Sequence, residues 1–451
     1  AAPRAASGGS RPSGACRSPR DHGSRPVMSP AAQVARILRP RTCGDDGGGA
    51  SPVAGSSTLE SAGEAHVKAV SYRGPGDLRV VEKPDPRIEH PNDVILRVTV
   101  AAVCGSDLHL YRGLIPDTRV GHTFGHEFTG IVEEVGPSVR NLKKGDRVVV
   151  PFPISCGSCF YCQRDLFAQC ENTNPNSELT CGVFGYSHTT GGYDGGQAEY
   201  VRVPFADVGP MKIPDDVTDE QAVFLADVFP TGYQAAEMGE IKPGETVVVF
   251  GCGPVGLFAQ KSAWLMGAGR VIAVDHVDYR LAFARQYNNV ETVNWREVDD
   301  IVAYLKEITG GMGPDVCIDA VGLEADGSAL HTFLGRALMM QAGAATVLGW
   351  AIDAVRKGGN VSIVGVYGPP WNLVPIGTAM NKNLTLRMGQ CNVKRYMPHL
   401  LEHIREGRVD PSRVISHRMS LDDAPRAYEM FAEKRDGCRK VVLYPGGVPQ
   451  A

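Results

Sequence analysis

The sequence predicts an α/β protein in which a small barrel-like β domain is joined to a doubly wound parallel sheet. Three observations carry that prediction. Short strands bounded by Gly and Pro turns crowd residues 67–150, with few helical periods. From Thr246 onward strands alternate with helical stretches, the pattern of a sheet covered on both faces. Between the two lies a loop holding Cys156, Cys159, Cys162 and Cys170 at C-x2-C-x2-C-x7-C spacing.

A chain of 451 residues is long enough for two or three domains at ~100–200 residues each. Hydrophobic content of 43% and charged content of 21% are those of an ordinary globular protein. A net charge of −4 gives no basic surface for nucleic acid or an anionic membrane. No apolar run reaches the ~18 residues that a membrane span needs. Residues 1–66 differ from the rest: rich in Gly, Ser, Ala, Pro and Arg, without Lys or aromatic residues, and without hydrophobic period. Such a stretch buries too little apolar surface to offset chain entropy and is expected to be disordered. It is either an organellar transit peptide or translated upstream sequence, the start then lying near Val67.

Taken in order, Val80-Val-Glu and Val94-Ile-Leu-Arg-Val-Thr-Val read as strands, followed by Cys104-Gly-Ser106-Asp107-Leu-His109. Gly125-His126-Glu127 opens a further strand region, and Lys144-Gly-Asp-Arg-Val-Val-Val closes another. Residues 171–198, rich in Gly, Asn, Ser and Tyr, suggest a long loop over a site. Helical periods appear at Glu220–Phe229 and Gly232–Met238. Thr246-Val-Val-Val-Phe250 is a continuous apolar run, suited to a strand buried on both faces. Helices near Leu257–Met266, Tyr279–Tyr287 and Val298–Thr309 alternate with strands at Val271–Asp275, Val316–Val321 and Val361–Val366. Helices around Tyr396–Arg405 and Asp422–Lys434 and the strand Lys440–Tyr444 finish the chain.

Two motifs carry chemistry on their own. Four thiols at such spacing suit a closed tetrahedral zinc site with no open position, hence a structural metal. Disulfides are the competing reading, but no secretory signal precedes the cluster, and the remaining scattered cysteines suit a reducing cytosol. The second motif is Gly251-Cys-Gly253-Pro254-Val255-Gly256, placed between a buried strand and a helix. Gly251 permits the tight turn, Gly253 the approach of a pyrophosphate, and Gly256 close helix–strand packing. The phosphates would sit at the helix N-terminus. Asp275, at the end of the next strand, would accept hydrogen bonds from a ribose diol and repel a 2′-phosphate, which favours NAD over NADP.

Cys104 or His126 alone would more often be a core residue. The stretches Cys104-x-Ser106-Asp107-x-His109 and GHE-x2-G-x5-G-x2-V at Gly125–Val139, with the four-cysteine loop, resemble the zinc-containing medium-chain alcohol dehydrogenase family over residues 67–445. Within it, Thr173-Asn-Pro-Asn, Phe184-Gly-Tyr-Ser-His and Leu225-Ala-Asp227-Val-Phe-Pro-Thr-Gly-Tyr233 are most similar to the glutathione-independent formaldehyde dehydrogenase group. The resemblance implies a GroES-like β-barrel catalytic domain (67–215 and 376–446) and a Rossmann NAD-binding domain (216–375). It implies two zinc ions per chain. Cys104, His126 and Asp227 would hold the catalytic one, with the aspartate where many relatives place a cysteine. Cys156, Cys159, Cys162 and Cys170 would hold the structural one.

Asp107 would fix the tautomer of His126, and Glu127 is either a family glutamate near the metal or a buried structural acid. Ser106 and His109 match a proton relay: Ser106 takes the proton of a hydroxyl acidified by the metal and passes it, through the nicotinamide ribose, to His109 and solvent. His109 as a plain surface histidine is the alternative. The resemblance adds Thr231 and Arg280 to the residues that bind NAD.

The implied function is hydride transfer to NAD from a small alcohol or from hydrated formaldehyde. A polyol or amino-alcohol dehydrogenase on the same scaffold is the alternative within enzymes. A catalytically silent NAD-binding relative is the alternative outside them. A homo-oligomer, dimer or tetramer, is expected by family analogy. No nucleic acid or membrane partner is expected, and the location is cytoplasmic unless residues 1–66 are a targeting segment. Pocket shape would be set by residues between Tyr161, Tyr186 and the C-terminal region.

Overall fold

The computed structural model describes residues 66–322, 345–367 and 374–449. The expectation of disorder for residues 1–66 therefore lies outside the described residues, save for His66, which opens the first strand.

Strands β1 (His66–Gly74) and β2 (Asp77–Pro84) form an antiparallel hairpin. β3 (Val94–Val103) follows, then the short helix α1 (Asp107–Tyr111), β4 (Glu127–Val135) and β5 (Arg147–Val150). β6 (Pro153–Ile154) pairs with β7 (Gly182–Val183) across the cysteine loop. Next come β8 (Tyr200–Val203), β9 (Met211–Lys212), α2 (Asp219–Ala222) and α3 (Val228–Met238). The barrel-like sheet runs β9–β5–β4–β3, with β8 also on β3, and is completed by two strands from the end of the chain. Its core comes from period-2 burial: Val94, Leu96 and Val98 of β3 face inward with Phe128 and Val132 of β4.

The second sheet is wholly parallel and six-stranded. It is built from β10 (Thr246–Phe250), β11 (Arg270–Asp275), β12 (Glu291–Asn294), β13 (Val316–Asp319), β14 (Asn360–Ile363) and β15 (Thr385–Met388). Its spatial order, β12–β11–β10–β13–β14–β15, reverses direction between β10 and β13. In such sheets ligands bind at the carboxyl ends of the strands beside that switch. Helices α4 (Pro254–Leu265), α5 (Asp278–Asn288), α6 (Ile301–Ile308), α7 (Ala345–Ala354) and α8 (Ile376–Asn381) connect these strands. Val247, Val248 and Val249 are all fully buried, as the unbroken apolar run of β10 requires. The sheet continues past residue 375, because β15 pairs in parallel with β14.

The chain then returns to the barrel through α9 (Val393–Arg405), β16 (His417–Ser420), α10 (Ala424–Ala432) and β17 (Val441–Tyr444). β17 lies between β16 and β3. One expected helix differs. Instead of running from Glu220 to Phe229, α2 stops at Ala222, a 3-10 turn spans Val223–Ala226, and Asp227 leaves helical geometry at φ −154°, ψ −78°. Helix α3 restarts at Val228, and the break turns the Asp227 carboxylate toward Cys104 and His126.

Candidate active site

Three separated stretches converge at one point. Cys104 follows β3, His126 immediately precedes β4, and Asp227 sits at the break before α3. Their exposures are 5%, 3% and 6%. His126 Nε2 lies 3.3 Å and Cys104 Sγ 3.5 Å from Asp227 Oδ2. Atoms held about 2.0–2.3 Å from a tetrahedral zinc stand about 3.3–3.6 Å from one another. Both separations from Asp227 are therefore those of ligands on one ion, and all three atoms lie within 4.8 Å of one another. Burial pushes the Cys104 thiol up to about 11, with the negative Glu127 and Asp227 adding to it. A buried thiol beside two buried carboxylates is a place for a cation, whose binding would displace the thiol proton.

The surroundings fix each donor. Asp107, fully buried at the start of α1, sets its Oδ1 3.0 Å from His126 Nδ1. With Nδ1–H turned to that carboxylate, Nε2 is the nitrogen left to face a metal. Its Oδ2 accepts from the Cys104 backbone N–H at 3.0 Å and from Gln197 Nε2 at 3.4 Å. The Tyr428 hydroxyl donates to Gln197 Oε1 at 2.9 Å. Thr231 Oγ1 donates to Asp227 Oδ1 at 2.6 Å, which directs the other oxygen at the cluster. Ser106 Oγ is 3.3 Å from His126 Nε2. His109 is not a surface residue: it is 3% exposed, and it lines the same cavity as Ser106.

Glu127 joins the cluster, its carboxylate lying within 4.8 Å of the other three donors. It is also paired with Lys440 at 2.5 Å, and neither side chain is exposed at all. Glu127 is thus both fully buried and close to the three candidate ligands. Lys440 was not legible in the sequence, because a lysine at the far end of the chain gives no local sign of its partner.

These donors form one end of a cavity of about 280 Å³. The other end is the parallel sheet's switch point, where Gly251, Gly253, Pro254, Val255, Asp275 and Arg280 line the wall, with Thr231 between the two ends. Gly251 takes φ +100°, and a Cβ on Gly253 would meet nothing, leaving room for a ligand against the backbone. Gly256 does not line the cavity. A Cβ there would stand 2.0 Å from the Gly251 carbonyl oxygen, so its role is the packing of α4 on β10. Asp275 Oδ2 accepts from the Cys252 N–H at 2.7 Å, and Oδ1 accepts from the His276 N–H at 2.7 Å. These bonds hold the carboxylate at the end of β11, with lone pairs left for a diol. Beside it, His276, Trp295 and Trp350 form an aromatic wall that the sequence reading did not single out.

An alcohol dehydrogenase GroES-like domain matches residues 90–215, and a zinc-binding dehydrogenase domain matches residues 254–340. An uncharacterized zinc-type alcohol dehydrogenase-like protein of Bacillus subtilis is 49% identical over 381 residues, covering 84% of this chain and all of that protein. The chain belongs to the zinc-type alcohol dehydrogenases. The solved alcohol dehydrogenase from Thermus sp. ATN1 superposes on this dehydrogenase with a TM-score of 0.71 at 37% identity, over 84% of this chain and 99% of that one. The glutathione-independent formaldehyde dehydrogenase of Bacillus subtilis is 35% identical, over 84% of this chain and 97% of its own. Zinc and a nicotinamide dinucleotide are the cofactors of this dehydrogenase.

The dehydrogenase carries a second thiol cluster away from the cavity. Atoms of Cys156, Cys159, Cys162 and Cys170 lie within 4.8 Å of one another. Cys159 Sγ and Cys170 Sγ stand 3.9 Å apart, far beyond the ~2.05 Å of a disulfide. Backbone N–H groups of Ser158 and Cys159 point at Cys156 Sγ (3.4 Å each), as does Asn172 Nδ2 at 3.3 Å. Burial alone would raise the Cys156 thiol, but these donors and the Ser158 hydroxyl outweigh it and pull it down to about 6. Loops that stabilise thiolates in this way are suited to metal. Tyr161 belongs to this lobe and does not line the cavity, whereas Tyr186 does, its ring edge-on to His126 at 6.3 Å. The loop over the site contributes Thr180, Val183 and Thr190 to the same wall.

Proposed function

We propose that this dehydrogenase oxidises a small primary alcohol, or formaldehyde as its hydrated diol, with NAD taking the hydride. Cys104, His126 and Asp227 hold the catalytic zinc, and the four lobe thiols hold a structural one. The observation that carries this reading is a single one: a metal-ligand trio with a serine beside it shares one cavity with the dinucleotide turn. When bound, zinc supplies Lewis acidity that lowers the pKa of a hydroxyl, and nicotinamide supplies the hydride acceptor.

The chain's own residues do the rest. Ser106, at the cluster and on the cavity wall, accepts the hydroxyl proton, and His109 on the next turn of α1 receives it for release. Asp107 holds the Nδ1 side of the His126 ring, so that Nε2 faces the cluster. Leu108, Phe152 and Val183 make the apolar part of the wall, beside the hydroxyls of Thr180 and Thr190. The Asp275 carboxylate favours a ribose diol over a 2′-phosphate and so NAD over NADP. The formaldehyde side of the reading rests on the aspartate at 227 and on the likeness to the formaldehyde dehydrogenase. The ten described cysteines are all free thiols, which suits a reducing cytosol.

The test is turnover of formaldehyde, primary alcohols and polyols with NAD and with NADP, beside a zinc count. Two zinc ions per chain and NAD-linked oxidation of formaldehyde or a short alcohol are expected. Asp227→Ala should lose one zinc and its turnover while keeping its fold, and Asp275→Ala should lose its preference for NAD. Wild-type turnover that is faster with NADP, or only one zinc per chain, would sink the reading.

A further inference from the structure

We infer that α9 carries a binding site for a further divalent transition-metal ion, chelated by His399 and His403 on the face turned toward α3. The two histidines are four residues apart, so they stand one above the other on the helix. Their Nε2 atoms are 3.1 Å apart, with ring centroids at 4.6 Å and ring planes crossing at 80°. That separation is close to the 3.3 Å between His126 Nε2 and Asp227 Oδ2 in the cluster described above. From α3 the Tyr233 hydroxyl reaches to 3.2 Å from the same His399 nitrogen. Two imidazole nitrogens this close can share a single proton between them. One cation on their bisector would engage both lone pairs at once.

The surroundings favour that exchange. His403 is only 4% exposed, and burial, helped by Arg408 and His399, holds its imidazole below the usual value and hence neutral near pH 7. His399 is exposed, so an ion can enter from solvent and keep open positions on that side. Paired imidazoles suit Zn²⁺, Ni²⁺ or Cu²⁺, whereas Mg²⁺ and Ca²⁺ require oxygen donors that this pair lacks. The nearby carboxylates are engaged elsewhere: Glu402 with Arg405, and Glu237 with Arg395 and the Tyr396 hydroxyl. The ion would be held on α9, which packs against α3, the helix that starts one residue after Asp227.

The test uses the full-length holoenzyme, its two zinc sites filled and excess metal removed. Zn²⁺ is then titrated in by calorimetry, followed by elemental analysis, with Ni²⁺ as a second probe. The wild type should take up one further equivalent per chain, and its thermal midpoint should rise with free metal, as for any ligand of the folded state. His399→Ala, a change at an exposed position, should retain two zinc ions and NAD binding but take up no further equivalent and show no rise. Tyr233→Phe leaves both imidazoles and should still take up the ion. No further equivalent in the wild type, or equal uptake by His399→Ala, overturns the inference.

Discussion

Lys440 and Glu127 show what a single residue does at this site. A carboxylate without solvent beside two other potential anions would not hold its charge alone. Burial raises its pKa, and Lys440 at 2.5 Å works against that. Removing one member of a buried pair leaves the other uncompensated, at a cost of about 3–5 kcal/mol, whereas removing both can be nearly neutral. Lys440→Met should therefore lower the denaturation midpoint sharply, and Glu127→Gln with Lys440→Met should recover most of the loss. Strictly additive losses in that cycle would show that the two do not act as a pair. The residues legible in advance were those with a local spacing or a family motif: Cys104, His126, Asp107 and the lobe thiols. Lys440, Gln197 and Tyr428 were not, because each reaches the site from a distant strand, loop or helix, and only the fold joins them.

Among elements, strands with long apolar runs were the most readable. β10 admits little besides burial on both faces, and β11 and β13 pair with it in register. Helix α2 was harder to read, because the apolar pattern of Glu220–Phe229 runs straight through Asp227. The local sign of the break is Pro230 in the first turn of α3, which has no N–H to continue a helix from α2. α2 is in turn tied to the end of the chain. Glu220 accepts a two-pronged bond from Arg418 of β16, at 2.7 and 2.6 Å, and the Tyr444 hydroxyl of β17 donates to the same carboxylate. The Arg418 fork holds the Glu220 carboxyl below its ordinary value in spite of partial burial.

A group whose pKa is lowered by folding contributes stability above its unfolded value, about 4.3 for glutamate. That contribution fades as pH falls through the lower folded value. Glu220→Gln should thus be less stable than wild type at pH 7 and converge with it below about pH 4. A stability difference that stays constant with pH would show that the carboxylate's charge does not contribute.

At the scale of the whole molecule, the two zinc-type clusters answer to different parts of the structure. The cavity takes its walls from the ends of the parallel sheet and from residues that flank β3 and β4, so its shape is a property of their meeting, which no local pattern in the sequence encodes. The lobe lies within one loop, which is why its spacing could be read directly. Its four thiols do not line the cavity. Cys156→Ser should lose one zinc and lower the thermal midpoint, while per-site turnover of the molecules that remain folded and charged with catalytic zinc stays near that of wild type. Elemental analysis with an active-site titration would check this. A fall in turnover as large as that of Asp227→Ala would mean that the lobe acts on the chemistry directly.

The position of β17, inserted between β16 and β3, sets an order on biosynthesis. The donors at 104, 126 and 227 leave the ribosome long before Lys440, which sits one residue ahead of β17. At about 5–20 residues per second, that interval lasts roughly 10–40 s. Throughout it Glu127 has no counter-ion, and the barrel edge at β3 is open. The lobe thiols, all within one loop, can take their zinc during the same interval. A nascent chain would then become a metalloprotein well before it could become an enzyme.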